Sequence, residues 1–419
     1  MHHALANPAC WQEFYEYKQA GGHLPKEELA ELEAFIQSRG YLPLVEDILQ
    51  GRAFCAPRKV LLSKQHSEKK RTVYCFSPEE NWVLKLLTFL LQRKYDHLFA
   101  EGLYSFRPGK SVRDAVRRLT TAENIDHMWC YKADIRNYFN TIPIPRLLPL
   151  LQTVLSDEPV IYRFLEALLS DPWVNDKGTL ITEEKGIMAG TPISSFLANL
   201  YLSEMDHSFA AEGALYARYS DDIIVFAPTE ESLQTDIARI HGFLQQGGLT
   251  IHPDKALCTA PGEMWTFLGI RYQQGVVDVS PVSVQKLKDK MRRKTRALVR
   301  WQARKGTTGV QAAKAFIRVF HKKLYENPIS HELTWVRWYF PLITTTESLQ
   351  VIDRYSQDCI RYLATGKRTK AAYNFRYQDI KALGYQSLVH SYYTPQAPSE
   401  QEAEGCEAKN TCNTETFPL

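Results

Sequence analysis

The chain has 419 residues, enough for two or three domains, and its 44% hydrophobic and 12% aromatic content excludes wholesale disorder, collagen and low-complexity polymer. The net charge of +4 conceals an uneven distribution: residues 1–280 carry 28 Lys and Arg against 35 Asp and Glu, a net −7, whereas residues 281–381 carry 22 against 7, a net +15. A block with that excess repels itself unless a polyanion neutralises it, so nucleic acid is the expected partner; the plainer alternative is a set of solvated helices.

In chain order, residues 23–50 read as helical, with Leu29, Leu32, Phe35 and Ile36 on one face and Gly40 as a stop. Two short extended runs, 59–63 and 71–76, flank the polar turn 64–70 and predict a hairpin with a basic tip. A buried helix is expected over 78–99, followed by the Gly/Pro-punctuated loop Tyr104-Ser-Phe-Arg-Pro-Gly-Lys-Ser111. The densest apolar run, 82–91, is interrupted by Lys85 and is far shorter than the roughly 20 residues of a membrane helix. Residues 1–14 lack the pattern of a secretory signal, and eight scattered cysteines without a CxxC pair disfavour a disulfide scaffold or a zinc site. A cytoplasmic protein with no membrane partner is expected.

Residues 128–135 are strand-like and end near Asp134, after which Pro143 and Pro145 open a helix to 155. The Gly-rich turn 186–191 leads into a helix from about Ser194, with Leu197, Leu200, Tyr201 and Met205 at helical spacing. Two apolar runs, 215–219 and 223–227, are joined by Ser220-Asp221-Asp222 and read as a hairpin with carboxylates at its tip. Thr229 caps a helix, and extended pieces follow at 249–259 and 265–272. The basic block opens with Ser280 as N-cap and Pro281 at the first helical position, Val284, Leu287 and Met291 forming an apolar stripe. Its aromatics, Trp301, Trp335, Trp338 and Tyr339 among them, are interleaved with cations, as stacking and phosphate contacts together require, although they serve equally as core. From about 394 the chain turns polar and loses periodicity, which predicts a disordered acidic tail.

Asp134, Asp221 and Asp222 form the strongest chemical constellation. Adjacent carboxylates repel one another unless a cation lies between them, and hard divalent ions prefer oxygen ligands. Two such ions about 4 Å apart activate a 3′-hydroxyl and stabilise a leaving pyrophosphate, the geometry of nucleotidyl transfer. Taken alone, Asp221 and Asp222 are ordinary turn residues.

The order of these segments resembles the prokaryotic reverse transcriptases of the group II intron, retron and defence-associated kind, over residues 57–272. Arg58, Lys59 and Lys69-Lys70-Arg71 resemble the fingers motif, 104–111 the block along the template, and Asp134-Ile-Arg-Asn-Tyr-Phe139 palm motif A. Gly190-Thr-Pro-Ile-Ser194 with Leu197-Ala-Asn199 is similar to motif B, Tyr219-Ser-Asp-Asp222 to motif C, Lys255 to the motif D lysine and Phe267-Leu-Gly269 to the primer grip.

The resemblance implies an α+β right-hand polymerase: a helical N-terminal extension (1–50), fingers and an antiparallel palm with helices (51–280), a basic helical thumb (281–393) and the tail (394–419). It implies two Mg²⁺ ions, with Mn²⁺ as a substitute, on Asp134, Asp221, the carbonyl of Ile135 and, more weakly, Asp222. Lys69 and Arg71 would meet the triphosphate of a dNTP, Phe139 would exclude a 2′-hydroxyl, and Gly190 would allow close approach to the nascent pair. Lys255 would donate a proton to pyrophosphate; alone, Lys255 reads as a surface lysine and Phe139 as core. Arg107 and Lys110, with Arg292, Arg293, Arg296 and Trp301 of the thumb, would contact nucleic acid.

The departures are Ala189 before Gly190 where the family has Gln, Ser195 where it has Pro, and Ser220 where it has Ala. The absence of an HNH-type nuclease motif and the ending 383–393 look most like stand-alone, defence-associated enzymes of the second class. That implies an RNA template, a structured noncoding RNA, copied into cDNA in antiphage defence. The rivals are an intron-type maturase and a non-catalytic RNA-binding protein.

Overall fold

Alternating burial along 129–134 and a run of apolar residues over 223–227 set the architecture. In the computed structural model, which describes residues 1–21, 24–63, 70–325 and 334–394, these stretches become neighbouring antiparallel strands. In chain order the strands are β1 (Arg58–Ser63), β2 (Lys70–Cys75), β3 (Trp129–Asp134), β4 (Trp173–Asp176), β5 (Thr179–Thr182) and β6 (Leu215–Tyr219). They continue as β7 (Asp222–Ala227), β8 (Leu257–Thr259), β9 (Trp265–Phe267), β10 (Ile270–Gln273) and β11 (Val276–Val279). The fold is α+β, with sheets ordered β2-β1-β4-β5, β6-β7-β3-β8 and β11-β10-β9.

The β6-β7-β3-β8 sheet is wholly antiparallel. Side chains alternate across a strand, so Tyr131, Ala133, Ile223 and Val225 join the helical core on one face. The paired residues Asp134 and Asp222 point to the other face with Lys132. Helix Glu230–Gln246, started by a Thr229 capping box, lays Leu233, Ile240 and Leu244 into the core. The β1–β2 hairpin pairs Arg58 with Cys75 through Ser63 with Lys70; its tip, with the candidate Lys69, lies outside the described residues.

Helices extend over more of the N-terminus than periodicity predicts: His2–Ala6 and Pro8–Gly21 precede Lys26–Gln37 and Leu42–Leu49. Trp11 explains the first pair, because its ring stacks on Tyr41 at 4.8 Å and its Nε1 donates to the Leu5 carbonyl. The expected extended piece at 249–259 is instead a bridge at Ile251, a 3₁₀ turn over Pro253–Lys255 and the short β8. Likewise 265–272 breaks into β9 and β10 at Leu268 and Gly269, both at positive φ.

The described residues divide into two compact units, 1–280 and from Pro281 onwards. In the second, helices Pro281–Lys305, Gly309–Leu324 and Glu347–Thr365 pack on one another through Leu287, Met291, Phe316, Phe320, Ile352 and Ile360. The buried Asp353 carboxylate accepts from Tyr385, Ser387 and the Leu388 and Val389 amides, tying the last helix to that bundle. No helix among the described residues is long and apolar enough to cross a membrane. The acidic tail expected from 394 lies outside the described residues from 395 onwards.

Candidate active site

Backbone pairing brings the distant carboxylates together. Asp134 and Asp222 are register partners, and the Ile135 amide donates to the Asp221 carbonyl at 3.0 Å. Beyond β3 the chain is held by the 248–255 segment: His252 N donates to the Asp134 carbonyl and Arg136 N to the Thr250 carbonyl, both at 2.8 Å. That segment delivers Lys255, whose ammonium lies 2.6 Å from an Asp134 carboxylate oxygen.

Burial pushes the Asp221 carboxyl above its usual range, the neighbouring Asp134 adds to this, and Lys255 and Arg71 oppose it. Asp222 is pushed up to about 6, chiefly by burial, with Lys132 opposing and the other two aspartates adding. Mutual repulsion in a half-buried place is the electrostatic condition that a divalent cation relieves. Among the described residues no group of three or more His, Cys, Asp or Glu forms a ready-made metal centre. Mg²⁺ typically binds through one or two carboxylates, retained water and substrate phosphates, and Asp134, Asp221 and the Ile135 carbonyl suit that mode.

The tip of the β6–β7 hairpin is built from beneath. Ser220 has φ +60°, uncommon for a residue with a side chain. Its amide donates to Ser105 Oγ at 2.9 Å and its carbonyl accepts from the Arg218 guanidinium at 3.2 Å. Arg218 is fully buried and donates also to Asp206 and to the Asn199 carbonyl. Tyr216 donates to Asp206 as well, and Asn199 is tied to Ser105 through Nδ2 and Oδ1. Sequence reasoning missed Arg218 and Asp206; the available signal was a charge inside an apolar strand, where an unpaired cation is costly.

A second brace is the 186–191 turn. Ile187 N donates to the Phe139 carbonyl at 2.8 Å, and Ala189 N donates to Asn140 Oδ1 at 2.9 Å. Tyr74 N, in β2, donates to the Ala189 carbonyl at 2.8 Å, and Asn140 Nδ2 donates to the Thr72 carbonyl, so one asparagine links turn and hairpin. Gly190 has φ +102°, and an added Cβ would lie 3.1 Å from Val73 Cβ and 3.2 Å from the Tyr74 carbonyl. Gly190→Ala is therefore expected to lower stability by about 1–3 kcal/mol and to loosen this turn. Denaturant titration checks it: an unchanged midpoint would contradict the packing.

A cavity of about 450 Å³ gathers Asp134, Ile135, Asp221, Lys255, Arg71 and Phe139. Ala189, Lys70, Arg136 and His252 also line it. Asp222 and Gly190 lie outside its lining, Asp222 on the same sheet face beside Lys132 and Gly190 against β2. Phe139 both faces the cavity and packs against the core.

Arg107 corrects an expectation. Its guanidinium is spent on Asp96 at 2.8 and 3.1 Å and on the carbonyls of Ala100 and Leu103, leaving the side chain 7% exposed. It fastens its own loop. Lys59 is similarly held by Glu183 at 2.6 Å. Lys110 lies over the Tyr104 ring at 5.5 Å. Arg292, Arg293, Arg296 and Trp301 lie on helix Pro281–Lys305 of the second unit, where Arg292 pairs with Asp289.

Residues 64–272 match the family model for reverse transcriptase (RNA-dependent DNA polymerase). The chain is 30% identical over 159 residues to an uncharacterized 91 kDa protein in a cob intron of Schizosaccharomyces pombe, covering 36% of this chain and 18% of that protein. It is 26% identical over 133 residues to a putative COX1/OXI3 intron 2 protein of Saccharomyces cerevisiae, covering 31% and 15%. The chain thus spans less than a fifth of the length of these two relatives. Among solved structures, apo telomerase from Candida tropicalis, truncated from its C-terminal domain, aligns at 13% identity and a TM-score of 0.44, covering 54% of this chain and 55% of that one.

Proposed function

Residues 64–272 are a domain of the reverse transcriptase family, and from that premise we propose that the chain is an RNA-directed DNA polymerase working by two-metal nucleotidyl transfer. The convergence of Asp134 and Asp221 on one cavity carries this reading. Asp134, Asp221 and the Ile135 carbonyl would hold Mg²⁺, with Mn²⁺ as substitute, and Asp222 would act on the field from beside them. When bound, the two ions supply an activated 3′-hydroxyl and charge stabilisation at the leaving pyrophosphate.

The chain's own residues do the rest. Arg71, on β2, lines the same cavity and neutralises phosphate oxygens as a planar multi-donor cation, with Lys69 and Lys70 beside it in sequence. Phe139 closes the wall where a 2′-hydroxyl would enter. Lys255, held on Asp134 and lining the same cavity, would donate its proton to the leaving pyrophosphate. Gly190 and Ala189 keep the turn low against β2, leaving room for a base pair. In the second unit, Arg292, Arg293, Arg296 and Trp301 grip the backbone of the hybrid, with Lys110 contributing to template contact.

The finer reading is a cytoplasmic, stand-alone enzyme that copies a structured noncoding RNA into cDNA in antiphage defence, supported by the resemblance of 383–393. A second reading, an intron-encoded maturase, is supported by the intron location in the names of both yeast relatives. Sequencing RNA and DNA that co-purify with the full chain separates them: a noncoding RNA with its cDNA favours the first, intron RNA the second.

Purified protein with a primed RNA template, dNTPs and Mg²⁺ is expected to make alkali-resistant, DNase-sensitive product. No product with either Mg²⁺ or Mn²⁺ would contradict the assignment. Phe139→Ala is expected to raise ribonucleotide incorporation relative to deoxynucleotide by about tenfold or more. An unchanged ratio would reduce Phe139 to packing.

A further inference from the structure

The second unit holds a cavity of about 590 Å³ between helices Pro281–Lys305 and Glu347–Thr365 and the turn Lys370–Asn374. Six cations line it, Arg292, Arg296, Arg300, Arg361, Lys367 and Arg368, against a single carboxylate, Asp358. That carboxylate already faces Arg361 at 3.3 Å and the Tyr373 hydroxyl at 3.4 Å. Among the described residues, the side chains of Arg296, Arg300 and Lys367 have no carboxylate partner, so the cavity is left with uncompensated positive charge.

Its walls are not merely cationic. Tyr355, Tyr362 and Tyr373 present rings, and the buried Cys359 and Ala372 give an apolar floor. Two rings already carry a guanidinium: Arg361 lies over Tyr373 at 4.8 Å and Arg368 over Tyr362 at 4.5 Å. A planar group can slide onto such a face while the arginine turns its donors to an anion. Flat aromatic surfaces, free guanidinium forks and a volume within the 300–1,000 Å³ range of small-molecule sites fit one chemical class. A simple anion would leave the rings unused, and an apolar ligand would leave the cations unpaired.

We infer that this cavity is a nucleotide-binding site, taking one base against the tyrosines and its phosphate on Arg296, Arg300, Lys367 and Arg368. The nucleotide is either free or an unpaired unit of RNA. The site shares no residue with the candidate catalytic cavity, although Arg292 and Arg296 belong also to the face proposed to grip the hybrid, and it does not rest on polymerase activity, since it lies wholly within the second unit.

The test uses full-length protein in excess EDTA, which removes metal-dependent nucleotide binding at the carboxylates. Photolabelling with 8-azido-ATP is expected to mark peptides containing Tyr355, Tyr362 or Tyr373. AMP should compete, whereas inorganic phosphate or adenosine should compete at least tenfold less well. The double variant Lys367→Glu, Arg368→Glu and the single Tyr373→Ala should each reduce labelling about tenfold, with Tyr373→Trp restoring it. A thermal unfolding midpoint within a few degrees of wild type shows that these surface variants fold.

A short single-stranded RNA that competes at lower concentration than AMP identifies the nucleotide as part of RNA, and the reverse order identifies a free nucleotide. Labelling that does not saturate, that phosphate displaces as well as AMP does, or that the variants leave unchanged overturns the site.

Discussion

Asp221→Asn is expected to cut dNTP incorporation by about a thousandfold or more, equivalent to about 4 kcal/mol of transition-state stabilisation, while leaving the fold intact or firmer. The two effects have one cause. Burial and the nearby Asp134 raise the Asp221 carboxyl above its usual range. A carboxyl raised on folding costs stability wherever it is ionised, so above the raised value the Asp221 charge opposes folding in metal-free protein, and that cost fades as pH falls through it. A neutral isostere removes the cost together with the metal-binding charge. The unfolding midpoint of the variant in EDTA should equal or exceed that of wild type, and Mg²⁺ with dNTP should raise the wild-type midpoint far more. Equal incorporation by both proteins would contradict the placement of the metal site.

Arg218→Met is the second large effect, and it runs in the opposite direction. Both Arg218 and Asp206 have 0% side-chain exposure, so removing the cation strands a buried carboxylate. A loss of about 3–5 kcal/mol in denaturant titration is expected. Combining it with Asp206→Leu should recover much of that stability, because the unpaired charge disappears. Activity should not recover with it, since the Ser220 and Asn199 carbonyls still lack their guanidinium donors. Recovery of both together would show that Arg218 serves the fold alone, and recovery of neither would show that the pair is not the source of the instability.

What was legible in the amino-acid order is the local part of the site. Strands around Asp134 and the Ser220-Asp221-Asp222 tip follow from alternation and turn chemistry, whereas Phe139 alone reads as core and enters the site only through the resemblance. The partners that hold these residues are not local. Arg218 meets Asp206 and reaches the Asn199 carbonyl, while Ser105 joins from more than ninety residues upstream. Asn140 bridges Thr72 and Ala189, and Lys59 finds Glu183 across 124 positions. Nothing in a window of hydropathy encodes such pairings.

Arg107 shows the converse hazard. In a Gly/Pro loop an arginine reads as a phosphate contact, yet Asp96 and two nearby carbonyls satisfy it first. The short strands β4 and β5, four residues each, carry too little pattern to be seen in advance, and Pro253 interrupts the extended run expected over 249–259.

The central claim is that Asp134 and Asp221 jointly hold a divalent ion against an incoming nucleotide. Anomalous diffraction from crystals of the full chain with Mn²⁺ and a non-hydrolysable dNTP analogue tests it directly. The expected result is a manganese peak within about 2–2.5 Å of carboxylate oxygens from both residues, with Lys255 displaced from Asp134. A peak on neither or only one of the two, with the Lys255 contact still in place, would contradict it.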